Sequence, residues 1–141
     1  MKKETLKKIL NFLSENEGKT PQTYGSIVWK ILFNEPIKKE EANIEGGLYL
    51  NYLDVTSLPE GLKVGGSLDL YNTKIKSLPN GLEVGDNLDL RNCKSLTSLP
   101  RGLEVGAILR IGNTDLYNYS DDDLRQMVKP GFIKGIYIGN G

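Results

Sequence analysis

The sequence predicts an α/β solenoid, in which short parallel strands stack on one another behind an N-terminal helical cap. The first observation is a repeat: residues 58–72 (LPEGLKVGGSLDLYN) and 78–92 (LPNGLEVGDNLDLRN) agree at ten of fifteen positions. The second is an L-x-L unit that recurs at intervals of 20, 20, 21 and 27 residues. A fixed period of this length indicates stacked coils. The units are Leu48-Tyr49-Leu50, Leu68-Asp69-Leu70, Leu88-Asp89-Leu90, Leu109-Arg110-Ile111 and Ile136-Tyr137-Ile138.

Each L-x-L unit predicts one short strand that turns its two apolar side chains into the core and its middle residue outward. Five such strands stack in parallel, which predicts five rungs. Twenty residues are too few for a strand and a full return helix, so the return path is extended or a tight turn, as the Leu-Pro and glycine positions also indicate. The longer last interval predicts a helix in SDDDLRQMVKPG, with Ser120 as its N-cap and Pro130 beyond its end.

The N-terminal part has helical rather than repeat spacing. Apolar residues at i, i+3, i+4 and i+7 predict a helix over about residues 3–16 and a second one that begins after Ser26 and stops before Pro36. These residues are Leu6, Ile9, Leu10 and Leu13 in the first helix, and Ile27, Val28, Ile31 and Leu32 in the second. The predicted organisation is a two-helix cap over residues 1–43 and a solenoid over residues 44–141, together forming one structural unit.

From about residue 44 to residue 141 the chain resembles leucine-rich repeat proteins of the short bacterial type, which share its period of about 20 residues and its Leu-Pro step. The variant L-P-x-G-L-x-V-G-x-x-L-x-L is also similar to small repeat proteins carried by phages and prophages. The family's asparagine ladder position carries Leu53, Thr73, Cys93 and Thr114 here. The resemblance implies a protein-binding solenoid and, through its phage or mobile-element relatives, an inhibitor or decoy of a bacterial host protein.

Composition excludes several classes of function. Lysine plus arginine equals aspartate plus glutamate at 18 each, so no overall charge favours nucleic acid or an anionic membrane. Histidine is absent and Cys93 is the one cysteine, which excludes an internal disulfide, most zinc sites and imidazole catalysis. We therefore expect no cofactor, no metal and no enzymatic activity. No run of 18 apolar residues and no convincing signal peptide are present, which predicts a soluble cytoplasmic protein.

The outward row of the strands is the candidate site, because the repeat leaves these positions free to vary. Asp69 and Asp89 should lie side by side at the strand spacing, and Arg91 and Arg110 are near enough to relieve their repulsion. Tyrosine and arginine are typical of interface hot spots, which favours partner binding. A solvated, internally compensated charge patch is the other interpretation. The predicted partner-binding residues are Tyr49, Asp69, Tyr71, Asp89, Arg91, Arg110 and Tyr137.

The sequence leaves three functions open. The first is a non-catalytic protein–protein interaction module with a protein partner. The second is a structural subunit of an oligomer. The third, the least favoured, is a small enzyme that uses Asp69 and Asp89 as paired carboxylates, although no loop insertion that would form a pocket accompanies them.

The last strand raises the question of oligomeric state. Ile136, Tyr137 and Ile138 form an edge that, apart from Lys134, lacks the charges or proline that usually block edge pairing. One interpretation is a homodimer in which two copies join these strands about a two-fold axis. The other is that the strand is short enough for its open edge to be tolerated.

Overall fold

The computed structural model describes residues 26–139 of the 141-residue chain. The helix predicted over about residues 3–16 lies outside these residues. Within them, no helix has both the length and the apolar character needed to cross a bilayer. The elements are α1 (Ser26–Leu32), β1 (Asn43–Ile44), β2 (Leu48–Tyr49), β3 (Lys63–Val64), β4 (Leu68–Asp69), β5 (Glu83–Val84), β6 (Leu88–Asp89), β7 (Glu104–Arg110), α2 (Asp121–Val128) and β8 (Phe132–Tyr137), with 3₁₀ turns at Glu40–Ala42 and Asp115–Asn118.

The strands form two parallel ladders that meet in β7. One ladder runs β2-β4-β6-β7 and pairs the L-x-L units in the predicted register, with Leu48 opposite Leu68, then Leu88, then Leu109. The other runs β1-β3-β5-β7, and β8 pairs with β7 along both ladders. The chain is therefore a parallel-strand β-solenoid. The second ladder was not predicted. The sequence indicated a return path that is extended or a tight turn, and the extended part of that path pairs from coil to coil as β3, β5 and the start of β7.

The core lies inside the coils and is built from the repeated apolar positions. The leucines of the L-x-L units are buried, and most of them are fully excluded from solvent. The prediction that both apolar side chains of every unit face the core is wrong for the fifth unit. There Ile136 is only partly buried and Ile138 is 51% exposed, because no further coil of the described residues packs over them. Full burial of one such side chain stabilises the fold by about 1.5–3 kcal/mol. Helix α1 contributes to the same core through Val28, Ile31 and Leu32, and Phe33 follows directly after it. The second buried column consists of Val55, Ile75, Leu96 and Leu116, which recur along the chain at offsets of 20, 21 and 20 residues.

Two sets of turn residues adopt left-handed backbone conformations. Gly81 has φ +77°, and Gly61 and Gly102 are similar, in agreement with a tight turn after the Leu-Pro step. Asn92 has φ +63°, and the other asparagines of the L-x-L-x-N motif match it. Asparagine tolerates this region better than other residues with a side chain. Tyr52, with φ +66°, replaces asparagine at this position in the first coil.

A column of three glycines, Gly65, Gly85 and Gly106, allows the coils to approach each other closely. A Cβ atom added to any of them would overlap the backbone carbonyl oxygen of the residue one coil earlier. In the first coil the corresponding position, one residue after Ile44, is occupied by Glu45. These glycines do not have positive φ, so close packing of backbone rather than turn geometry requires them.

Thr73, Cys93 and Thr114 occupy equivalent positions in three successive coils and form a buried polar column. The Cys93 thiol donates to the carbonyl oxygen of Leu70 at 3.0 Å and lies 3.6 Å from the Thr73 hydroxyl. The Thr114 hydroxyl donates to the carbonyl oxygen of Ile111 at 2.7 Å. Burial raises the pKa of Cys93, which keeps the thiol protonated. Cys93 is a free cysteine with no exposed surface.

Helix α2 lies in the long interval, where the sequence predicts it. The Ser120 hydroxyl accepts from the backbone N–H of Asp123, and the Asp123 carboxylate accepts from that of Ser120, so the two form a capping box. Arg125 of this helix pairs with Asp121 at 3.0 Å and donates to the backbone carbonyl oxygens of Ile133 and Lys134 in β8. The helix therefore covers part of the last strand, which begins at Phe132, earlier than the predicted Ile136.

Candidate functional site on the outward strand face

The middle residues of the L-x-L units form one row across the sheet. Tyr49 lies opposite Asp69, Asp69 opposite Asp89, Asp89 opposite Arg110, and Arg110 opposite Tyr137. Tyr71 and Arg91 follow two residues after the aspartates, on the same side of the sheet because side chains alternate along a strand. The seven residues selected from the sequence thus lie on one surface, which we call the outward face (Tyr49, Asp69, Tyr71, Asp89, Arg91, Arg110 and Tyr137).

Asp89 is neutralised by Arg91, which lies two residues further along the chain. Arg91 donates from Nε to Asp89 Oδ1 at 3.0 Å and from Nη2 to Oδ2 at 2.6 Å, and its backbone N–H also donates to Oδ1 at 3.1 Å. The side chains of Asp89 and Arg91 are only 14% and 19% exposed. A two-point pair with this little solvent contact is held more rigidly than an ordinary surface ion pair.

Asp69 has the same position one coil earlier but lacks such a partner. Its carboxylate accepts from the backbone N–H of Tyr71 at 2.9 Å, and no basic side chain among residues 26–139 lies within ion-pair distance of it. Burial raises the pKa of Asp69, and the charge of Asp89 adds to this shift, whereas the Tyr71 N–H and the more distant Arg91 oppose it. The difference between the coils arises because tyrosine replaces arginine two residues after the aspartate.

The expected relief of the two aspartates by two arginines is therefore only half right. Arg91 pairs with Asp89, whereas Arg110 forms no ion pair with either aspartate within the described part of the chain. The Arg110 guanidinium lies instead over the ring of Tyr137, with Cζ 5.9 Å from the ring centroid. Sequence spacing placed Arg110 beside Asp89 but could not show that its guanidinium lies over an aromatic ring.

An aromatic cluster lies at one end of the outward face. The rings of Tyr52 and Tyr71 meet edge to face at a centroid distance of 5.3 Å, and Arg91 Cζ lies 5.1 Å above the Tyr71 ring. Desolvation raises the pKa of Tyr52, and the neighbouring Tyr71 and Asp69 add to the shift. Tyr52 was not among the residues that the repeat pattern selected. The available signal was that Tyr52 interrupts the column of asparagines at the end of each L-x-L-x-N motif.

Tyr49 and Tyr137 lie back against the backbone of their own strands. A Cβ atom at Gly47 would come within 2.6 Å of the Tyr49 hydroxyl, and one at Gly139 would come equally close to that of Tyr137. Glycine at these two positions therefore leaves room for the rings. Both tyrosines still expose about half of their surface, 60% for Tyr49 and 47% for Tyr137. Large aromatic surface is thus presented in a defined orientation at both sides of the row.

Within residues 26–139 no group of three or more histidine, cysteine, aspartate or glutamate side chains is arranged to hold a metal ion. Comparison with known proteins found no matching family model, no matching curated protein and no matching solved structure. The interpretation of the outward face therefore depends on its own geometry and charge.

The Asp69→Asn variant should have a higher melting temperature than the wild type at about pH 7, and this gain should disappear at about pH 3. The raised pKa means that the native state binds the proton more tightly, so the stability of the wild type falls as the pH rises through that pKa. Asparagine does not titrate and can still accept from the Tyr71 N–H. Thermal unfolding at both pH values checks this. A pH-independent difference would show that ionisation of Asp69 carries no cost.

Proposed function

We propose that the chain is a non-catalytic protein-binding module and that its outward face contacts a protein partner. The observation that carries the proposal is that two arginine guanidinium groups lie over tyrosine rings, Arg91 over Tyr71 and Arg110 over Tyr137, beside exposed Tyr49 and Tyr52. Tyrosine and arginine dominate the energetics of protein interfaces. Side chains that are already ordered lose less conformational entropy when a partner binds.

The proposed module is a leucine-rich repeat of the short bacterial type with five rungs. Support comes from the period of about 20 residues, from the pairing of Leu109 with Ile136 as the last of the L-x-L pairs, and from the contribution of α1 to the core, as expected of a helical N-terminal cap. The resemblance to repeat proteins of phages and prophages extends the proposal to an inhibitor or decoy that acts on a bacterial host protein in the cytoplasm.

The outward face is small, which constrains how a partner binds. Five strands at about 4.8 Å and three residues along each give about 20 Å by 10 Å, or roughly 200 Å². A standard interface buries about 800 Å² on each partner. The partner must therefore also contact surface beside the row, and Tyr52, which is 63% exposed and packs on Tyr71, provides the nearest such surface.

A double variant tests this function. Tyr49→Ala with Arg110→Ala removes exposed parts of the outward face without breaking the Asp89–Arg91 pair, so the melting temperature should change by only a few degrees. The matched control is Tyr117→Ala with Lys129→Ala, which alters exposed residues of the turn before α2 and of its C-terminal end. Crosslinking and capture from bacterial lysate should recover a stoichiometric protein with the wild type and the control only. Equal capture by the face variant would contradict the proposal.

A role as an oligomer subunit is the second candidate, and the edge of β8 favours it. Tyr137 O accepts from the N–H of Ile111, which follows β7, so by alternation the N–H of Ile138 points to the opposite edge, where the described residues place no strand. Arg125 donates hydrogen bonds to the carbonyl oxygens of Ile133 and Lys134, and it makes no hydrogen bond to the segment 136–138 within the described residues. Two copies would join there about a two-fold axis.

Light scattering on the full chain tests this dimer directly. A dimer mass for the wild type and a monomer mass for Ile138→Pro are expected, because proline removes a donor from the open edge. The Ile138→Ala variant is the matched control, since it shortens the same exposed side chain but keeps the N–H, and it should stay dimeric. A monomeric wild type at high micromolar concentration would contradict the pairing.

A further inference from the structure

The charges of the outward face are not all neutralised within it. Asp89 at the centre is bound by Arg91 at two points. On one side of it, Asp69 has no ion-pair partner among the residues that the structure describes, and on the other side Arg110 has none in the same part of the chain. Within the described residues the row therefore presents an anion, Asp69, and a cation, Arg110, without ion-pair partners, one on each side of the Asp89–Arg91 ion pair.

The distance between these two charges follows from the strand register. Asp69 lies opposite Asp89, and Asp89 lies opposite Arg110, so Asp69 and Arg110 are two strands apart. At about 4.8 Å between neighbouring strands, their backbone positions are about 10 Å apart. The order is fixed because all three strands are parallel and joined by backbone hydrogen bonds, for example Leu70 N–H to Asp89 O and Leu90 N–H to Arg110 O.

We propose that the protein partner presents a basic and an acidic side chain about 10 Å apart, and that Asp69 binds the basic group while Arg110 binds the acidic group. This inference rests on the proposed function and adds the chemistry of the partner. The residues involved are Asp69 with Tyr71, and Arg110 with Tyr137.

Asp69 is well suited to bind an ammonium or guanidinium group. The Tyr71 N–H holds its carboxylate in one orientation, and part of its desolvation has already occurred in the free protein. An incoming cation would also lessen the repulsion between Asp69 and Asp89. The edge-to-face rings of Tyr71 and Tyr52 stand beside the site, and aromatic faces attract cations by about 0.5–1 kcal/mol at exposed positions.

Arg110 is suited to bind a carboxylate. The Arg110 guanidinium lies over the Tyr137 ring within cation–π distance, and a fork oriented in this way loses less freedom when it forms two parallel hydrogen bonds. Tyr137 in turn lies along its strand over Gly139. Both charged groups are thus held in a defined orientation, Arg110 by the ring of Tyr137 and Asp69 by the backbone N–H of Tyr71, and neither has an ion-pair partner within residues 26–139.

The test uses a displayed library of random sixteen-residue peptides, selected on the immobilised full chain. Selected peptides should be enriched in sequences that carry both a basic and an acidic residue. Their affinity should fall about tenfold or more with Asp69→Asn and with Arg110→Gln, the loss expected for one charge-assisted contact. Affinity for the Tyr117→Ala control should be unchanged. The double reversal Asp69→Arg with Arg110→Asp should bind variants of the selected peptides in which the two charges are exchanged.

Three results would overturn the inference. Selected peptides without the charge pair, or with affinities that Asp69→Asn and Arg110→Gln leave unchanged, would exclude the two charge contacts while leaving the face as a protein-binding surface. Charge-exchanged peptides that fail to bind the folded double reversal would exclude the assigned order of charges. If no peptide is enriched above the bare matrix, both the inference and the proposed function fail. Circular dichroism of each variant establishes that it is folded before its affinity is compared.

Discussion

Replacement of Leu88 by alanine should lower the free energy of unfolding by about 2 to 5 kcal/mol. Leu88 is completely buried, and its neighbours in the row are Leu68 and Leu109. The lost contacts cannot be regained by collapse, because backbone hydrogen bonds hold β6 between β4 and β7 on both sides. The substitution therefore removes buried apolar surface and also leaves a cavity, and both terms are destabilising.

Urea denaturation of the two proteins measures this difference. The matched control is Ile108→Ala, which truncates a β-branched side chain on the neighbouring strand β7 that is 38% exposed and points out of the core. The control should lose far less stability, about 1 kcal/mol or less, because little buried surface is removed. If Leu88→Ala lost no more than the control, the core assigned to the L-x-L units would be wrong.

The Gly85→Ala variant should be destabilised by about 3 kcal/mol or more, or fail to accumulate as soluble protein. The added methyl group would overlap the carbonyl oxygen of Gly65 in the preceding coil. That carbonyl belongs to backbone and not to the flexible end of a side chain. It cannot move without disturbing the bonds that join the coils there, such as Gly85 N–H to Val64 O at 2.8 Å and Asp86 N–H to Gly66 O at 3.1 Å.

The chain contains a control for this effect. Gly46 lies in the corresponding bend of the first coil, one residue after Glu45, and a Cβ atom added there would meet nothing within 4 Å. Gly46→Ala should therefore change the unfolding midpoint in urea only slightly, by about 0.5 kcal/mol or less in stability. Similar losses in the two variants would indicate that chain entropy, rather than contact between coils, accounts for the cost at Gly85.

Much of the candidate site could be predicted, because two periods combine to place it. Alternation along a strand assigned Asp69 and Asp89 to the outward side, and the 20-residue offset assigned them to neighbouring strands. The pairing of Arg91 was not predictable from these periods, since a residue two positions along the same strand and a residue on the next strand are both within reach. The position of Arg110 over the Tyr137 ring and the packing of Tyr52 on Tyr71 depend on side-chain rotamers.

The sequence by itself determined the parallel solenoid, the register of the L-x-L units, the buried columns and the helix after Ser120, because each follows from spacing along the chain. Only the tertiary structure showed the second strand ladder. It also showed that close packing of backbone between coils, rather than turn geometry, requires Gly65, Gly85 and Gly106. Which charges of the outward face are neutralised was likewise decided only by the tertiary structure. Spacing specifies which residues become neighbours. How closely two coils approach, and which of several neighbours a side chain contacts, is decided by three-dimensional packing and the competition among hydrogen-bond and ring partners.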